Sequence, residues 1–495
     1  MLRVTGTHRS AELEDGGGLM TQPATEPVGP APDAVPRIMW FRRDLRVDDH
    51  HALAAAARGP VLCLFVVDPT LLGRRHHQAP ARLRFLRACL EHLDRDLRAH
   101  GGALVVRAGE PAIVLPEVAS EIGAREVHVT RELTPFGRDR DTRVADALSA
   151  HGIPLHLHGG DVMLPPEELP GPEGRGYRVF TPFYKAWLRF RQIDAPVTTP
   201  HLHRVECASD DLTTLFPEGK PLISADADDV HDRLEDFVRR DVSYYREERD
   251  LVADDGTSRL SPYLRFGVIT PRQIARALGP PGSLDLGAEA FWRQVAWREF
   301  FHHIMWWNPQ AATTALQPRY RAIAWDNDPA QIAAWTAGLT GYPIVDAAMR
   351  QLADTGWVHN RARIVAASFL VKDLLVDWRI GERIYMQGLI DGDPCNNNGG
   401  WQWVAGTGTD AAPYFRILIP TVHARKLDPE GIYIKRHVPE LRRVPEAHIH
   451  EPWLMDPELQ RRILCRIGTD YPAPIVDHAE RRRIAVARYR EAADR

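Results

Sequence analysis

The sequence predicts a chain of two folded parts, a doubly wound parallel α/β domain followed by an all-helical domain. From residue 38 to about residue 165, short apolar runs alternate with amphipathic stretches, as strands and helices alternate in a parallel sheet. Strand patterns fade after residue 245, where long apolar stretches take their place. A chain of 495 residues is also too long for one hydrophobic core. We therefore expect two or three domains.

Five apolar runs in the first part predict five strands. They are IMWF at 38–41, VLCLFVVD at 61–68, ALVVRAG at 103–109, EVHVTREL at 126–133 and IPLHLHGGDVML at 153–164. Between the second and third runs, leucines recur every three or four residues from Leu83 to Leu97, which predicts a helix with Gly101 as its C-terminal cap. The first strand is not followed by GxGxxG, so the common dinucleotide fingerprint is missing.

The domain boundaries follow changes in composition along the chain. Residues 1–36, rich in Gly, Pro, Ala and Glu, predict a disordered extension. We assign 37–165 to the α/β domain, 166–244 to a connector without a strong pattern, and 245–485 to the helical domain. Two long buried helices are expected in that last part, at AEAFWRQVAWREFFHHIM and RIVAASFLVKDLLVDW.

Charge, cysteine spacing and hydropathy limit the cellular setting. No apolar run reaches about 18 residues and the N-terminus lacks a secretory apolar core, so we expect a cytoplasmic protein. The five cysteines are scattered without metal-ligand or redox spacing, which predicts reduced thiols and no zinc. With a net charge of -4, nucleic-acid binding would need a local basic face.

The most informative segment runs from Asp391 to Trp403, DGDPCNNNGGWQW. Its acids, asparagines and glycines favour turns and close backbone approach, so we predict a wall around a flat polar ligand rather than a routine helix or strand. Ten of the 13 tryptophans fall between Trp292 and Trp403. Indole is thus concentrated where a stacking ligand would be held.

A second candidate segment, DDGTSRLSP at 254–262, combines a turn, hydroxyl groups, Arg259 and a helix start at Ser261. Hydroxyls, an arginine and the free amides of a helix start suit a pyrophosphate. The alternative is an ordinary serine-capped helix with a surface arginine. Residue identity alone leaves both interpretations open.

A third segment, WVHNRAR at 357–363, places Asn360 and Arg363 three residues apart, on one face of a helix. Asp391 and Asp393 could pair with such arginines or accept hydrogen bonds from a flat polar ligand. A purely structural salt-bridge cluster is the alternative. Similarly, tryptophans such as Trp378 could simply fill the core.

Five motifs together resemble one known family. They are WFRRDLRVDD, DDGTSRLSPYLRFGVIT, WREFF, GYPIVDAAMRQLADTGWVHNRARIVAASFLVKDLLVDWR and DGDPCNNNGGWQWVAGTGTDAAPYFRI. In this order, over about residues 37–480, they resemble the photolyase/cryptochrome family, and within it the class I cyclobutane pyrimidine dimer photolyases of microbes. The resemblance implies an N-terminal α/β antenna domain and a C-terminal helical domain that holds one U-shaped FAD without a covalent link.

The resemblance also assigns cofactor contacts. The positions matching phosphate and ribityl contacts are Tyr245, Thr257, Ser258, Arg259, Leu260 and Ser261. Those matching the surroundings of the isoalloxazine and adenine are Gln294, Arg298, Asn360, Arg363, Asp391, Asp393 and Asn397. Asn397 corresponds to the residue facing flavin N5, where an amide favours the reduced states used in repair. The protein thus positions and tunes a cofactor that carries out the redox step.

The same likeness implies an electron path and a DNA site. Trp325, Trp378 and Trp401 match a hopping chain that carries an electron inward to photoexcited oxidised flavin. Trp297 and Trp403 match an aromatic pair that clasps a dimer flipped out of DNA. The full set of lesion or DNA positions is Arg249, Gln294, Trp297, Asn360, Arg361, Ile364 and Trp403. The expected partner is ultraviolet-damaged DNA, double or single stranded, with no membrane partner, and we expect a monomer.

Two positions depart from the class I pattern. Gln294 stands where those enzymes have a lesion-binding glutamate, and Ile364 stands where they have methionine. A glutamine cannot supply the charge or proton of a carboxyl group, so lesion preference could be altered. (6-4) photolyases often carry this glutamine, yet they use a histidine where this chain has Asn360.

The leading prediction is a deoxyribodipyrimidine photo-lyase, in which photoexcited reduced FAD donates an electron that splits a cyclobutane dimer. Alternatives are a cryptochrome-like blue-light photoreceptor and a photolyase that prefers (6-4) photoproducts. A dark flavin oxidoreductase is disfavoured because the sequence has no nicotinamide fingerprint.

An antenna chromophore is implied as well. QAPAR at 78–82 and ELTPFGRD at 132–139 resemble deazaflavin-binding members of the family. We take Arg82, Glu132 and Arg265 as candidates for that pocket. Methenyltetrahydrofolate, or no antenna at all, are the alternatives.

Overall fold

A computed structural model describes residues 35–73, 79–190, 195–254, 256–410 and 417–494. All but the last two positions of the predicted extension at 1–36 lie outside these ranges. So do Gln78 of the QAPAR segment, Asp255 and residues 411–416 of the last motif. None of the proposed site residues falls in a gap.

The N-terminal part is built on a five-stranded parallel sheet. Its strands are β1 (Arg37–Phe41), β2 (Val61–Val67), β3 (Leu104–Ala108), β4 (Val127–Thr130) and β5 (Leu155–His158). The spatial order β3-β2-β1-β4-β5 reverses direction between β1 and β4, as in a doubly wound sheet. Each of the five apolar runs therefore forms a strand, and the predicted α/β class is confirmed.

Helices cover both faces of this sheet. They are α1 (His51–Ala56), α2 (Pro69–Gly73), α3 (Pro80–Ala99), α4 (Pro111–Ile122) and α5 (Pro135–Ser149). The leucine pattern correctly predicted α3. Beyond its end, Gly101 has a φ of 88°, a left-handed conformation that glycine adopts without steric strain.

The connector contains helices that its composition did not predict. These are α6 (Phe180–Phe190), α7 (Leu212–Leu215) and α8 (Ala227–Asp236), followed by a π-helical segment at Phe237–Asp241. α6 buries Phe183 and Trp187 in the same apolar core as the sheet and the later helices. The connector is therefore part of the packed body and contributes to its core.

The C-terminal part is helical. Its helices are α9 (Tyr245–Glu248), α10 (Ser261–Phe266), α11 (Pro271–Leu278), α12 (Leu286–Trp307), α13 (Pro329–Ala337), α14 (Pro343–Thr355), α15 (Asn360–Ser368), α16 (Trp378–Gly388), α17 (Pro394–Ala405), α18 (Pro420–Leu427), α19 (Ile432–His437), α20 (Pro457–Ile463) and α21 (His478–Asp494). Apart from one isolated bridge, between Ile467 and Tyr471, the described residues after 245 form no β structure. The all-helical prediction is confirmed.

Of the two long predicted helices, only the first is continuous. α12 covers AEAFWRQVAWREFFHHIM completely. The second stretch is divided into α15, a π-helical segment at Phe369–Asp373, and a break in which Leu375 has a φ of 52°; α16 begins only at Trp378. The break is as buried as the helices around it, so the apolar pattern runs through it unchanged.

One apolar core joins the two parts. It includes Met39 and Phe41 from β1, Phe85 from α3, and Trp292 and Phe300 from α12. A second core lies within the helical part. The five cysteines are all unpaired thiols. Among the described helices, none combines the length and the apolar character needed to span a membrane.

Candidate active site

The segment at Asp391–Trp403 forms a tight turn followed by helix α17, so the prediction that it forms no routine helix was wrong. The side chain of Asp393 accepts a hydrogen bond from the backbone N–H of Asn396 at 2.9 Å, and Pro394 occupies the first turn. A Cβ on Gly399 would collide with the ring of Phe301 on α12. The cap, the proline and this close packing outweigh the low helix propensity of glycine and asparagine.

A carboxylate at the start of this turn joins three distant segments. Asp391 Oδ2 accepts hydrogen bonds from Ser261 Oγ at 2.7 Å and from Arg363 Nη2 at 2.7 Å. Arg363 also donates from Nε to the carbonyl oxygen of Val358 at 2.7 Å, which fixes the direction of its guanidinium. The other oxygen, Asp391 Oδ1, is buried and has no hydrogen-bond partner among the described residues. The structure thus brings together three of the predicted cofactor contacts.

The predicted face of α15 is present. Asn360 is the first residue of the helix, and Arg363 and Ile364 follow three and four positions later. Asn360 is exposed, whereas Ile364 packs at the edge of the second core. Gln294 lies on α12, where its Nε2 donates to the carbonyl oxygen of Ala290 in its own helix at 3.4 Å.

The sequence interpretation missed Glu382, a partly buried residue of α16 that contacts two asparagines of α17. Asn398 Nδ2 donates to Glu382 Oε1 at 3.0 Å, and Asn397 Nδ2 donates to the Glu382 carbonyl oxygen at 2.9 Å. Since its amide nitrogen is engaged, Asn397 has its Oδ1 left to accept a hydrogen bond. Burial raises the pKa of Glu382 to about 7, although the bond from Asn398 opposes this.

Glu382→Gln should reduce the pH dependence of stability. The folded-state pKa of Glu382 is raised, so protonated Glu382 contributes its full stabilisation below the ordinary pKa of 4.5. This stabilisation is lost as the pH rises through about 7. Between about pH 5 and about pH 8 the wild type should lose roughly 2 kcal/mol relative to the variant. Melting temperatures measured across this range test the prediction. Glu458→Gln, at an exposed position on α20, is the control. If melting temperature depends on pH in the same way in wild type and Glu382→Gln, the prediction is wrong.

The flavin-contact candidates Arg298 and Asp393 are both tied to the α/β domain. Arg298 donates to the carbonyl oxygen and to Oδ1 of Asp161, beyond β5, at 2.7 and 2.8 Å. Asp393 forms an ion pair with Arg43, beyond β1. Burial acts to raise the pKa of Asp393, but the charges of His302 and Arg43 outweigh it, and the pKa lies well below its usual value. These pairs anchor the start of α17 on the carboxyl edge of the sheet.

Of the three tryptophans of the predicted chain, two are buried and one is partly exposed. Trp401 on α17 and Trp378 at the start of α16 are each 2% exposed and share the second core. Trp325 packs at the edge of that core and is partly exposed, with its ring edge-on to Tyr489 at 6.2 Å. Gly381 allows close packing, because a Cβ there would collide with the ring of Trp401.

The two tryptophans predicted to clasp a lesion, one on α12 and one on α17, are both partly exposed. Trp297 stacks face to face on Phe180 of the connector, with ring centroids 3.9 Å apart and planes 6° from parallel. Phe180 is itself held by its backbone N–H, which donates to Asp410 Oδ2 at 3.0 Å. Trp403 is also partly buried. Phe180 was not predicted, because the connector sequence gave no pattern around it.

The two arginines assigned to DNA contacts lie close together. Arg361 Nε pairs with Asp250 Oδ1 at 2.6 Å, and Arg249 Nε lies 3.6 Å from the same oxygen. The Arg249 guanidinium lies 5.7 Å from the ring centroid of the buried Tyr245. Asp250 therefore gathers both cations at one place, and sequence spacing gave no sign of it.

In the segment at 254–262, Ser261 begins α10 as predicted, but the N-cap position is Leu260, without a side-chain cap. The serine-capped alternative is therefore wrong at that position. Ser258 is buried and Thr257 is partly exposed. Arg259 is exposed, adopts a φ of 51° and places its guanidinium 5.0 Å from the ring centroid of Trp357.

The antenna candidates occupy two separate environments. Arg82 Nη1 donates to the carbonyl oxygens of Met386 and Leu389 at 2.8 and 2.9 Å, and Arg265 Nε donates to that of Gly392 at 2.7 Å. Glu132 instead accepts from Arg140 Nη2 at 2.9 Å. Arg82 and Arg265 therefore support the turn before α17, and their antenna role stays a prediction.

Comparison with known proteins identifies the family. Residues 37–201 match the family model described as DNA photolyase, and residues 291–491 match the one described as the FAD binding domain of DNA photolyase. A Streptomyces griseus protein named deoxyribodipyrimidine photo-lyase is 40% identical over 454 residues, which cover 90% of this chain and 97% of that protein. The chain belongs to the DNA photolyase family. The family predicted from the motifs, and the prediction of an enzyme, are confirmed.

Solved photolyase-family structures have the same architecture. A bacterial class III photolyase from Agrobacterium tumefaciens superposes with a TM-score of 0.87 at 34% identity, over 95% of this chain and 100% of that one. A Synechocystis cryptochrome gives a TM-score of 0.84 at 28% identity, over 92% and 99%. Photolyases and a cryptochrome thus share this fold, and the predicted fold class is confirmed.

The residues present suit the FAD that this photolyase domain binds. Asp391 Oδ1 is buried, can only accept hydrogen bonds and has no partner among the described residues. The guanidinium of Arg363 and the hydroxyl of Ser261 lie beside it, so the site offers both donors and acceptors to a ligand. Oδ1 of Asn397 offers a second acceptor on α17. FAD as the cofactor, predicted from the motifs, is confirmed.

Proposed function

We propose that the chain is a light-driven DNA repair enzyme that splits cyclobutane pyrimidine dimers. When bound, FAD supplies the light absorption and the electron for this reaction. The observation that carries the proposal is the stack of Trp297 on Phe180, which holds a partly exposed indole in a fixed orientation. A fixed aromatic face binds an extruded base with little loss of conformational entropy.

Each group of residues then has a defined task. Ser261, Arg363 and Asp391 hold the cofactor, and Asn397 accepts a hydrogen bond near its reacting ring. Trp403 completes the aromatic clasp with Trp297. The cations gathered at Asp250 contact phosphates next to the lesion, which would make DNA binding salt-dependent despite the net charge of -4.

The proposed lesion preference rests on one residue of α12 and one residue of α15. Gln294 can hydrogen-bond a pyrimidine edge through its amide, and Asn360 is exposed at the start of α15. We place dimer repair first because Asn360 occupies the position where (6-4) photolyases use histidine. The (6-4) photoproduct is the second candidate, favoured by Gln294, and a cryptochrome-like receptor is the third, favoured by the fold shared with the Synechocystis protein.

For the antenna we propose a deazaflavin, on the likeness of the segments at 78–82 and 132–139. Of the three candidates, Glu132 pairs with arginines of the α/β domain, whereas Arg82 and Arg265 bond to carbonyl groups of the helical domain. An absorption spectrum of the purified protein distinguishes deazaflavin, folate and no second chromophore. The cytoplasmic location and the monomeric state stay predictions.

Purified protein with reduced FAD should restore a dimer-containing oligonucleotide only under blue or near-ultraviolet light. Trp297→Ala should weaken binding to that oligonucleotide about tenfold or more, because stacking on one base contributes about 1–3 kcal/mol. Binding to undamaged DNA should change little. Repair by gel assay and binding by fluorescence anisotropy provide the measurements.

Trp306→Ala is the matched control, since Trp306 lies on the same helix but packs against Arg138 of the α/β domain, with the guanidinium 4.1 Å from its ring centroid. Restoration in the dark would contradict the proposal, as would light that restores no lesion. Repair of (6-4) photoproducts alone would establish the second candidate.

A further inference from the structure

Three histidines and one glutamate form a cluster on the edge of the sheet, outside the flavin site. The histidine cluster comprises Glu126, His128, His156 and His158. In the parallel pairing of β4 with β5, His128 lies directly opposite His156. Glu126 precedes His128 by two residues and His158 follows His156 by two, so all four side chains project from one face of the sheet.

Three of these side chains present ligand atoms to a common point. Glu126 Oε2 lies 3.1 Å from His156 Nε2 and 3.6 Å from His128 Nε2, and the three atoms are all within 4.8 Å of one another. A tetrahedral zinc ion with bonds of about 2.0–2.1 Å would hold its ligand atoms about 3.3 Å apart. The two distances from Glu126 Oε2 are close to this spacing.

The imidazole nitrogens facing this point lack other partners. His128 is only 6% exposed, yet its Nε2 makes no hydrogen bond among the described residues, and neither does Nε2 of His156; their one charged neighbour at this point is Glu126 Oε2 itself. A buried polar atom without a partner is unusual in a folded protein and commonly marks an ion or water. This orphaned pair points to a ligand in the centre of the cluster.

Neighbouring side chains orient the ligand atoms, as hydrogen bonds to metal-binding histidines commonly do. Nδ1 of His128 lies 3.0 Å from Nε2 of His158, and when His128 Nδ1 donates this hydrogen bond, Nε2 of His128 keeps its lone pair for a metal. Glu126 uses Oε1 for an ion pair with Arg37, which leaves Oε2 for the histidines.

We propose that the histidine cluster binds one zinc ion through His128 Nε2, His156 Nε2 and Glu126 Oε2, with a water as the fourth ligand. Two imidazoles and a carboxylate suit a borderline divalent ion such as Zn²⁺ rather than Mg²⁺ or Ca²⁺. Bound there, zinc would fasten the edge strand β5 to β4. Cysteine spacing predicted that the chain binds no zinc. That prediction did not include these ligands, because neighbouring strands, not a sequence motif, bring them together.

Isothermal titration with ZnCl₂ tests the site in metal-stripped, FAD-loaded full-length protein. One equivalent of Zn²⁺ should bind, and it should raise the melting temperature. His156→Gln, at a partly exposed position, should weaken binding more than tenfold, and His158→Gln, which removes the orienting partner of His128, about tenfold. His151→Gln, an exposed histidine in the same domain, is the control and should bind like wild type.

Flavin content and light-driven repair should stay at wild-type levels in all three variants, which shows that they fold. Saturable zinc binding that His156→Gln leaves unchanged would overturn the proposal. The proposal would also be overturned if the wild type bound no saturable equivalent of zinc, or if His156→Gln and His151→Gln lost zinc affinity equally.

Discussion

Trp378→Phe should abolish the photoreduction of oxidised flavin in vitro, while repair by the pre-reduced enzyme continues nearly undiminished. Trp378 is the middle member of the proposed chain, buried in the core that also holds Trp401 and meets the partly exposed Trp325 at its edge. Phenylalanine fills a similar space but is far harder to oxidise, so an electron could no longer pass from the surface inward. Repair uses an electron already stored on the cofactor and needs no such path.

Blue-light illumination with an external reductant, followed by loss of the oxidised flavin absorption, measures this step. Trp292→Phe is the matched control, because Trp292 is equally buried but belongs to the core shared with the α/β domain. The control should photoreduce like wild type. Undiminished photoreduction in Trp378→Phe would reject the assigned route.

The fold was predictable where the local sequence pattern matches the burial of those residues in the structure. Short continuous apolar runs predicted β1 to β5, and the leucine spacing predicted α3. α17 was mispredicted because the composition of Asn396–Gly400 favours turns, while its helix depends on a cap at Asp393 and on space beside Phe301. Such packing partners are distant in sequence and leave no local signal. The break before Trp378 was missed for a related reason, since buried loops and buried helices are equally apolar.

The site was predictable from motifs but not from spacing alone. Spacing placed Asn360 and Arg363 on one helix face, and the structure confirms that arrangement. The side chains that hold the site together come from elsewhere in the chain: Phe180 from the connector, Asp250 from the segment after α9, and Glu382 from α16. Their roles depend on tertiary contacts, so no periodicity could have identified them.

The junction of the two domains explains the first motif, WFRRDLRVDD. Arg43 pairs with Asp393, which caps α17, while Arg42 pairs with Asp141 within the α/β domain. Arg298 completes the junction by reaching Asp161 from α12. Buried charge pairs of this kind lock one orientation, because breaking one leaves an uncompensated charge. The α/β domain therefore fixes the start of α17, and with it the position of Asn397.

Arg363→Ala should produce a folded protein that retains little or no FAD. Asp391 is nearly fully buried, and Arg363 is the cation that neutralises it. Removing one partner of a buried pair costs about 3–5 kcal/mol, which corresponds to a loss of affinity on the order of a hundredfold or more if binding carries that penalty. The ratio of flavin absorbance to protein absorbance after purification gives the measurement.

Two further variants separate a specific loss of the cofactor from general damage. Arg361→Ala, on the same helix but paired with Asp250, should keep its FAD and lose only DNA affinity. Arg363→Ala/Asp391→Asn should recover part of the flavin binding, because the stranded negative charge is gone. Stoichiometric FAD in Arg363→Ala would show that this pair does not hold the cofactor. No recovery in the double variant would show instead that FAD needs the guanidinium itself rather than a neutralised Asp391.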